Sequence, residues 1–168
     1  MTDEKVISRE QAQKFMEKYI KDMAKFKSFG DYMRETMTEY EKEYEEKNDI
    51  METMSKREKN TEHILDFQER TGLSYEFYTR VKKHSYRQPS MRTFMSLIMG
   101  YGLGMETALL YIQPIFRSFD ITNKVHRAYI QLIMHHEGKN FKECNKVLKG
   151  LGIAKKDYLG THINTNKK

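Results

Sequence analysis

Residues 64–82, ILDFQERTGLSYEFYTRVK, constrain this chain more than any other stretch. They read as a short helix, a glycine turn and a second helix with one dry side and one wet side. Gly72 stands where the chain must turn sharply, which suits a residue that tolerates positive φ. Leu73 follows, and Ser74 is a good N-cap for the second helix. At about 100° per residue, Leu73, Phe77, Tyr78 and Val81 fall on one side of that helix, able to pack on a core. Tyr75, Glu76, Thr79, Lys82 and Lys83 fall on the other, where side chains can hydrogen-bond to base edges and phosphates. Two helices joined in this way form the shape that lays a helix in the major groove of duplex DNA.

At these positions the chain resembles the lambda-repressor-like (XRE) helix-turn-helix family. The shared pattern is the glycine turn at Gly72, the serine cap at Ser74, the basic exit Arg80-Val81-Lys82-Lys83, and the Pro89-Ser90 pair opening the next helix. The likeness continues through 91–103, MRTFMSLIMGYGL, and covers roughly a quarter of the 168 residues. The chain departs from the pattern at Gln68, where Ala is usual, at Thr71, where Leu is usual, and at Tyr78, where Ile or Val is usual. Those departures bear on the angle between the helices and on the pose against DNA.

The resemblance implies a sequence-specific transcriptional regulator of double-stranded DNA, most simply a repressor that occupies a promoter. Ser74 and the N-terminus of its helix would dock on a phosphate through free N–H groups and the helix dipole. Tyr75, Glu76 and Thr79 would reach base edges, Glu76 accepting from a cytosine amino group. Arg80, Lys82, Lys83 and Arg87 would hold the backbone and set register, with Ser90 added at the start of the next helix. The alternative is a protein-interaction or assembly factor that keeps the helix-turn-helix shape without specific DNA binding.

Charge placement agrees with the first reading. Residues 1–60 carry 13 Lys/Arg against 15 Asp/Glu, a net of −2, whereas residues 61–168 carry 17 against 9, a net of +8. Between Arg70 and Arg92 stand six basic residues (Arg70, Arg80, Lys82, Lys83, Arg87, Arg92) and one acid, Glu76. Phosphate binding by counterion release needs such a local excess, although charge runs alone commonly serve as solvated surface. Two prolines, no tryptophan and twelve methionines among long charged runs point to an all-α protein. No apolar stretch of about 18 residues exists to span a membrane. The sequence MTDEKVISREQ carries no secretory signal, and the single cysteine, Cys144, suits a reducing cytoplasm.

The first sixty residues read differently. Phe15, Tyr19, Met23 and Phe26 recur at helical spacing between 9 and 29, and Asp31 is expected to cap a second helix over about 32–57. Along it Met33, Met37, Tyr40, Tyr44, Lys47, Met51 and Met54 alternate by four and three, a heptad seam interrupted by Lys47. The seam predicts a homodimer through Met33, Met37, Tyr40, Tyr44, Met51 and Met54. Its rivals are an intramolecular hairpin on Phe15 and Tyr19, and a protein-binding surface within 1–59. The organisation expected is a helical arm over 1–59, a helix-turn-helix bundle over 60–154 with extra C-terminal helices, and a flexible polar tail over 155–168. The run 56–60 serves as a hinge, or else as the start of the first helix of the bundle.

After the motif, Ser90 caps a helix with Met91, Phe94, Met95 and Ile98 on one face, broken by Gly100, Gly102 and Gly104. A short helix over 106–112 is expected to stop at Pro114, an amphipathic one to run over 124–136, and another to start at an Asn140/Glu143 capping box. Chemistry is sparse. GYGLG follows a helix and lacks the Lys-Ser/Thr of a phosphate loop. His135, His136 and Cys144 lack metal-ligand spacing, and Ser118, Asp120 and His126 lack a nucleophile elbow. No catalysis, metal or cofactor is expected.

Overall fold

A computed structural model describes residues 28–83, 89–136 and 138–160, together with Lys14 and Glu17, both helical. The expected contacts of Phe15, Tyr19, Met23 and Phe26 therefore lie outside the described residues, as does Arg87. Every regular element among the described residues is helical: α1 (Phe29–Lys47), α2 (Lys56–Thr71), α3 (Tyr75–Lys82), α4 (Met91–Gly100), α5 (Met105–Phe116), α6 (Lys124–His135) and α7 (Phe141–Gly150). Two 3-10 turns, Asp49–Thr53 and Lys155–Asp157, complete them.

The molecule is arranged around α4. Its residues from Phe94 to Gly100 are all buried, and it packs against α2, α6 and α7. The expected single apolar face is thus too narrow a description, because MRTFMSLIMG has few polar residues to put toward water. Ser90 caps this helix by accepting from the Thr93 N–H at 3.2 Å. Gly100 closes it where α2 crosses: a Cβ there would stand 2.7 Å from Cγ2 of Thr71. Absence of a side chain lets the two helices approach this closely.

The long second helix expected over 32–57 is two helices. Ser28, not Asp31, caps α1, accepting from the Asp31 N–H at 3.2 Å, and Gly30 lies buried inside it. The chain leaves α1 at Asn48 and restarts at Ser55, whose hydroxyl and Glu58 form a reciprocal capping box. Such a box satisfies two N–H groups that a helix start leaves without partners. Helix α2 then runs unbroken across the expected boundary at 59/60, so 56–60 is the first turn of a helix and no hinge.

The expected dimer seam faces inward. Met33 and Met37 are completely buried in the same core cluster as Phe67, Val81 and Phe94. Tyr40 meets Tyr101 edge-on at 5.5 Å, and the Arg70 guanidinium sits 4.3 Å over its ring. Tyr44 lies 6.0 Å from the ring of His63, Met51 is buried and Met54 is half-buried. A methionine with no surface left in a single chain has none to offer a second copy. Burying each such side chain contributes about 1.5–3 kcal/mol, and α1 spends that burial on its own chain.

Two further expectations change and one holds. Helix α5 continues two residues past Pro114, the chain tolerating one missing N–H in a final turn. Both capping residues expected for α7 are in place, with Asn140 accepting from the Glu143 N–H at 3.1 Å and Glu143 accepting from the Asn140 N–H at 3.1 Å. The tail expected from 155 onward starts exposed at Lys155 and Lys156 but returns to the core at Leu159 and Gly160, and 161–168 lie outside the described residues. Leu159 is buried with both backbone groups bonded to the Asn145 side chain, at 2.7 and 3.0 Å. The Gly160 N–H donates to Ser96 Oγ of the central helix at 2.8 Å.

Candidate nucleic-acid interface

The turn between α2 and α3 is held from inside. Gly72 takes φ 67°, as the sequence predicts, and its N–H closes on the Gln68 carbonyl at 2.9 Å. Thr71, a departure from the family pattern, is buried; its hydroxyl donates to the Phe67 carbonyl at 2.7 Å and accepts from the Leu73 N–H at 3.1 Å. A leucine there offers no such bond across the turn. Leu73, Tyr78 and Val81 are buried as expected and Phe77 is half-buried. Tyr78, the third departure, packs edge-on against Phe67 at 5.3 Å.

Tyr78 also needs a partner for its hydroxyl, and α1 supplies it. The phenol donates to Oε1 of Glu41 at 2.7 Å, while Oε2 of Glu41 accepts from Lys82 Nζ at 2.7 Å. Burial, reinforced by the Glu41 carboxylate, pushes the Tyr78 phenol well above its ordinary range. Lys82 Nζ also donates to Thr38 Oγ1 at 3.2 Å. Lys82 is thus bound to α1 instead of standing on the wet face where the helical wheel puts it. Its angular position borders the dry side, and a nearby carboxylate decides which way it turns.

What remains on the outer face is Tyr75, Glu76, Arg80 and Lys83, all exposed, with Thr79 half-buried among them. Tyr75 is an exposed large aromatic, 51% accessible. Ser74 occupies the cap position but makes no cap bond to a backbone N–H. Its hydrogen bond to Glu76 instead helps hold that carboxyl below the usual carboxylate range. Glu76 is therefore anionic at neutral pH, as a hydrogen-bond acceptor must be. Ser90 is exposed but committed to its helix cap.

The local basic excess is smaller at the surface than in the sequence. Arg70 donates through Nε to both carboxylate oxygens of Asp66, at 2.9 and 3.1 Å. Burial nevertheless raises Asp66 to about 6, with Glu69 adding to the shift. Arg92 donates to the Lys156 carbonyl at 3.0 Å. Of the six basic residues between Arg70 and Arg92, Arg80 and Lys83 are the described ones on the outer face of α3. Pattern reading missed Glu41, whose role depends on α1 lying against α3, a long-range contact that no local period encodes.

Among the remaining chemical candidates, Asp120 and His126 are engaged in local hydrogen bonds and Cys144 is packed in the core. His126 Nδ1 accepts from the Asp120 N–H at 3.0 Å, while the Asp120 carboxylate binds Thr122, so Ser118, Asp120 and His126 form no relay. Cys144 is buried on α7, and desolvation pushes its thiol up to about 12. Among the described residues no group of His, Cys, Asp and Glu is placed to hold a metal ion. No described helix is long and apolar enough to cross a membrane. A groove of about 530 Å³ opens beside α5 and α6, lined by Met105, Leu109, Ile112, Phe119, Ile121 and Ile130. Comparison of the chain with family models, with curated proteins and with solved structures finds no match.

Proposed function

We propose that the chain is a sequence-specific duplex-DNA-binding regulator, most simply a repressor, that seats α3 in the major groove. The observation that carries this reading is the outer face of α3: Tyr75, Glu76, Arg80 and Lys83 are exposed while the opposite face is locked into the core. A helix held this firmly presents its side chains without paying to order them. Glu76 accepts from a cytosine amino group, Thr79 and Tyr75 meet thymine methyls, and Arg80 and Lys83 hold phosphates. Lys82 drops out of the contact set because Glu41 holds it.

The test is selection from random duplexes, followed by binding of Glu76→Ala and Thr79→Ala variants across salt concentrations. Enrichment of a recurrent site is expected, with each variant relaxing preference at one or two base pairs by about 1–3 kcal/mol. Enrichment profiles that both variants leave unchanged would overturn readout by this face. The protein-interaction reading has its own observation: Leu109 and Ile121, at the apolar groove, are 53% and 70% accessible. Failure of the wild-type chain to bind any duplex, even at low salt, would favour that second reading.

A further inference from the structure

Helix α7 carries a second basic surface. Lys142, Lys146 and Lys149 are all exposed, and at about 100° per residue they fall within roughly 60° of arc. Cys144 and Leu148 are buried on the opposite side, so the stripe faces water. Its one acidic neighbour on the helix, Glu143, is turned back onto the Asn140 N–H in the capping box. Among the described residues no ion pair engages the three lysines. Residues 138–160 hold six lysines against two acids, and exposed Lys139 and Lys155 extend the patch at either end.

Its position gives the patch meaning. Phe141, the first residue of α7, covers the helix-turn-helix turn: a Cβ on Gly72 would stand 2.6 Å from Cδ2 of its ring. Lys142 is the next residue, so the stripe begins beside the turn that leads into α3 and runs about 10 Å from Lys142 to Lys149 at 1.5 Å per residue. In helix-turn-helix docking the first helix of the pair crosses the DNA backbone while the second enters the groove, and α7 packs on that first helix, α2. Of the helices packed directly on α3, α1 has the opposite sign. Helix α1 carries seven acids against three basic residues and lies against α3 through Glu41. A duplex seated on α3 is thus repelled on the α1 side.

We propose that Lys142, Lys146 and Lys149 form a second duplex-DNA contact, holding the phosphate backbone that flanks the groove entered by α3. This inference rests on the reading of α3 given above, and its occupant is the phosphodiester backbone of duplex DNA. It supplies affinity and orientation without sequence information, because phosphates are the same at every base pair.

The experiment compares the wild-type chain with K142Q/K146Q/K149Q and K142R/K146R/K149R on the selected duplex and on a random one, over a salt series. Each lost phosphate contact lowers the slope of log K against log salt by about 0.9, so the Gln variant should lose about 2–3. The loss should be equal on both duplexes, the enriched site should stay the same, and the Arg variant should keep the wild-type slope. All three side chains are exposed, with Lys142 Nζ 6.0 Å from the Phe141 ring centroid, so thermal unfolding of each variant is measured alongside, and a slope change with an unchanged midpoint is not a folding defect. An unchanged slope in the Gln variant, while the wild type binds, overturns the stripe and leaves α3 standing. No duplex binding by the wild type overturns both. Wild-type binding to phosphatidylserine vesicles that the Gln variant loses, with duplex slopes equal, assigns the stripe to a membrane surface and overturns the proposal.

Discussion

At Gly72 two independent demands meet. The backbone sits at φ 67°, and the space where a Cβ would go is filled by the Phe141 ring, 2.6–2.8 Å away. Gly72→Ala therefore adds backbone strain of about 1–3 kcal/mol, and the displaced ring adds an overpacking cost. A lowered urea midpoint with an unchanged m-value is the expected result; a midpoint equal to wild type would show that the turn re-forms without cost. Glu41 shows the opposite kind of residue, one whose importance comes from elsewhere in the chain. It joins a buried phenol to an ammonium across two helices, at 2.7 Å on each side. On the sequence it is one acid among seven in its helix.

Local rules were readable wherever they act over a few residues. The positive φ of Gly72, the Asn140/Glu143 capping box, the Ser90 cap and the dry face of α3 all follow from spacing alone. The seam on α1 was visible too, but not what covers it: Met33 and Met37 at heptad spacing look the same whether the partner is another copy or α2 to α4. In the folded chain Met33 and Met37 are covered by its own helices. Tyr40→Glu with Tyr44→Glu tests it, since Tyr40 lies under Arg70 and against Tyr101 of the same chain. The native mass by light scattering should be the same for wild type and variant, while amides of α1 and α2 lose protection from hydrogen exchange. A wild-type dimer that becomes monomeric in the variant would restore the intermolecular seam.

For the molecule as a whole, the question is whether a separate arm, bundle and tail exist or one core does. Phe29 and Met33 of α1, Phe67 of α2, Val81 of α3 and Leu159 beyond α7 belong to one hydrophobic cluster. The clearest test lies at the C-terminal end, because a frayed polar tail and a core segment respond oppositely to the same change. Leu159 is buried, and Asn145 bonds both its N–H and its carbonyl. Leu159→Ala should cost about 2–5 kcal/mol if the segment is core, whereas a substitution in a solvated tail stays within about 0.5 kcal/mol. Asn145→Ala removes two hydrogen bonds worth about 0.5–1.5 kcal/mol each. In both variants far-UV circular dichroism and tyrosine fluorescence should shift together on unfolding, because one core melts as one unit. Loss of a C-terminal signal at low urea, with amides of α2 and α3 still protected, would instead mark 155–160 as a detachable flap. The single cluster argues against that outcome: Gly160 is bonded to Ser96 in the central helix, and Ser96 lies between Phe94 and Ile98 at its middle.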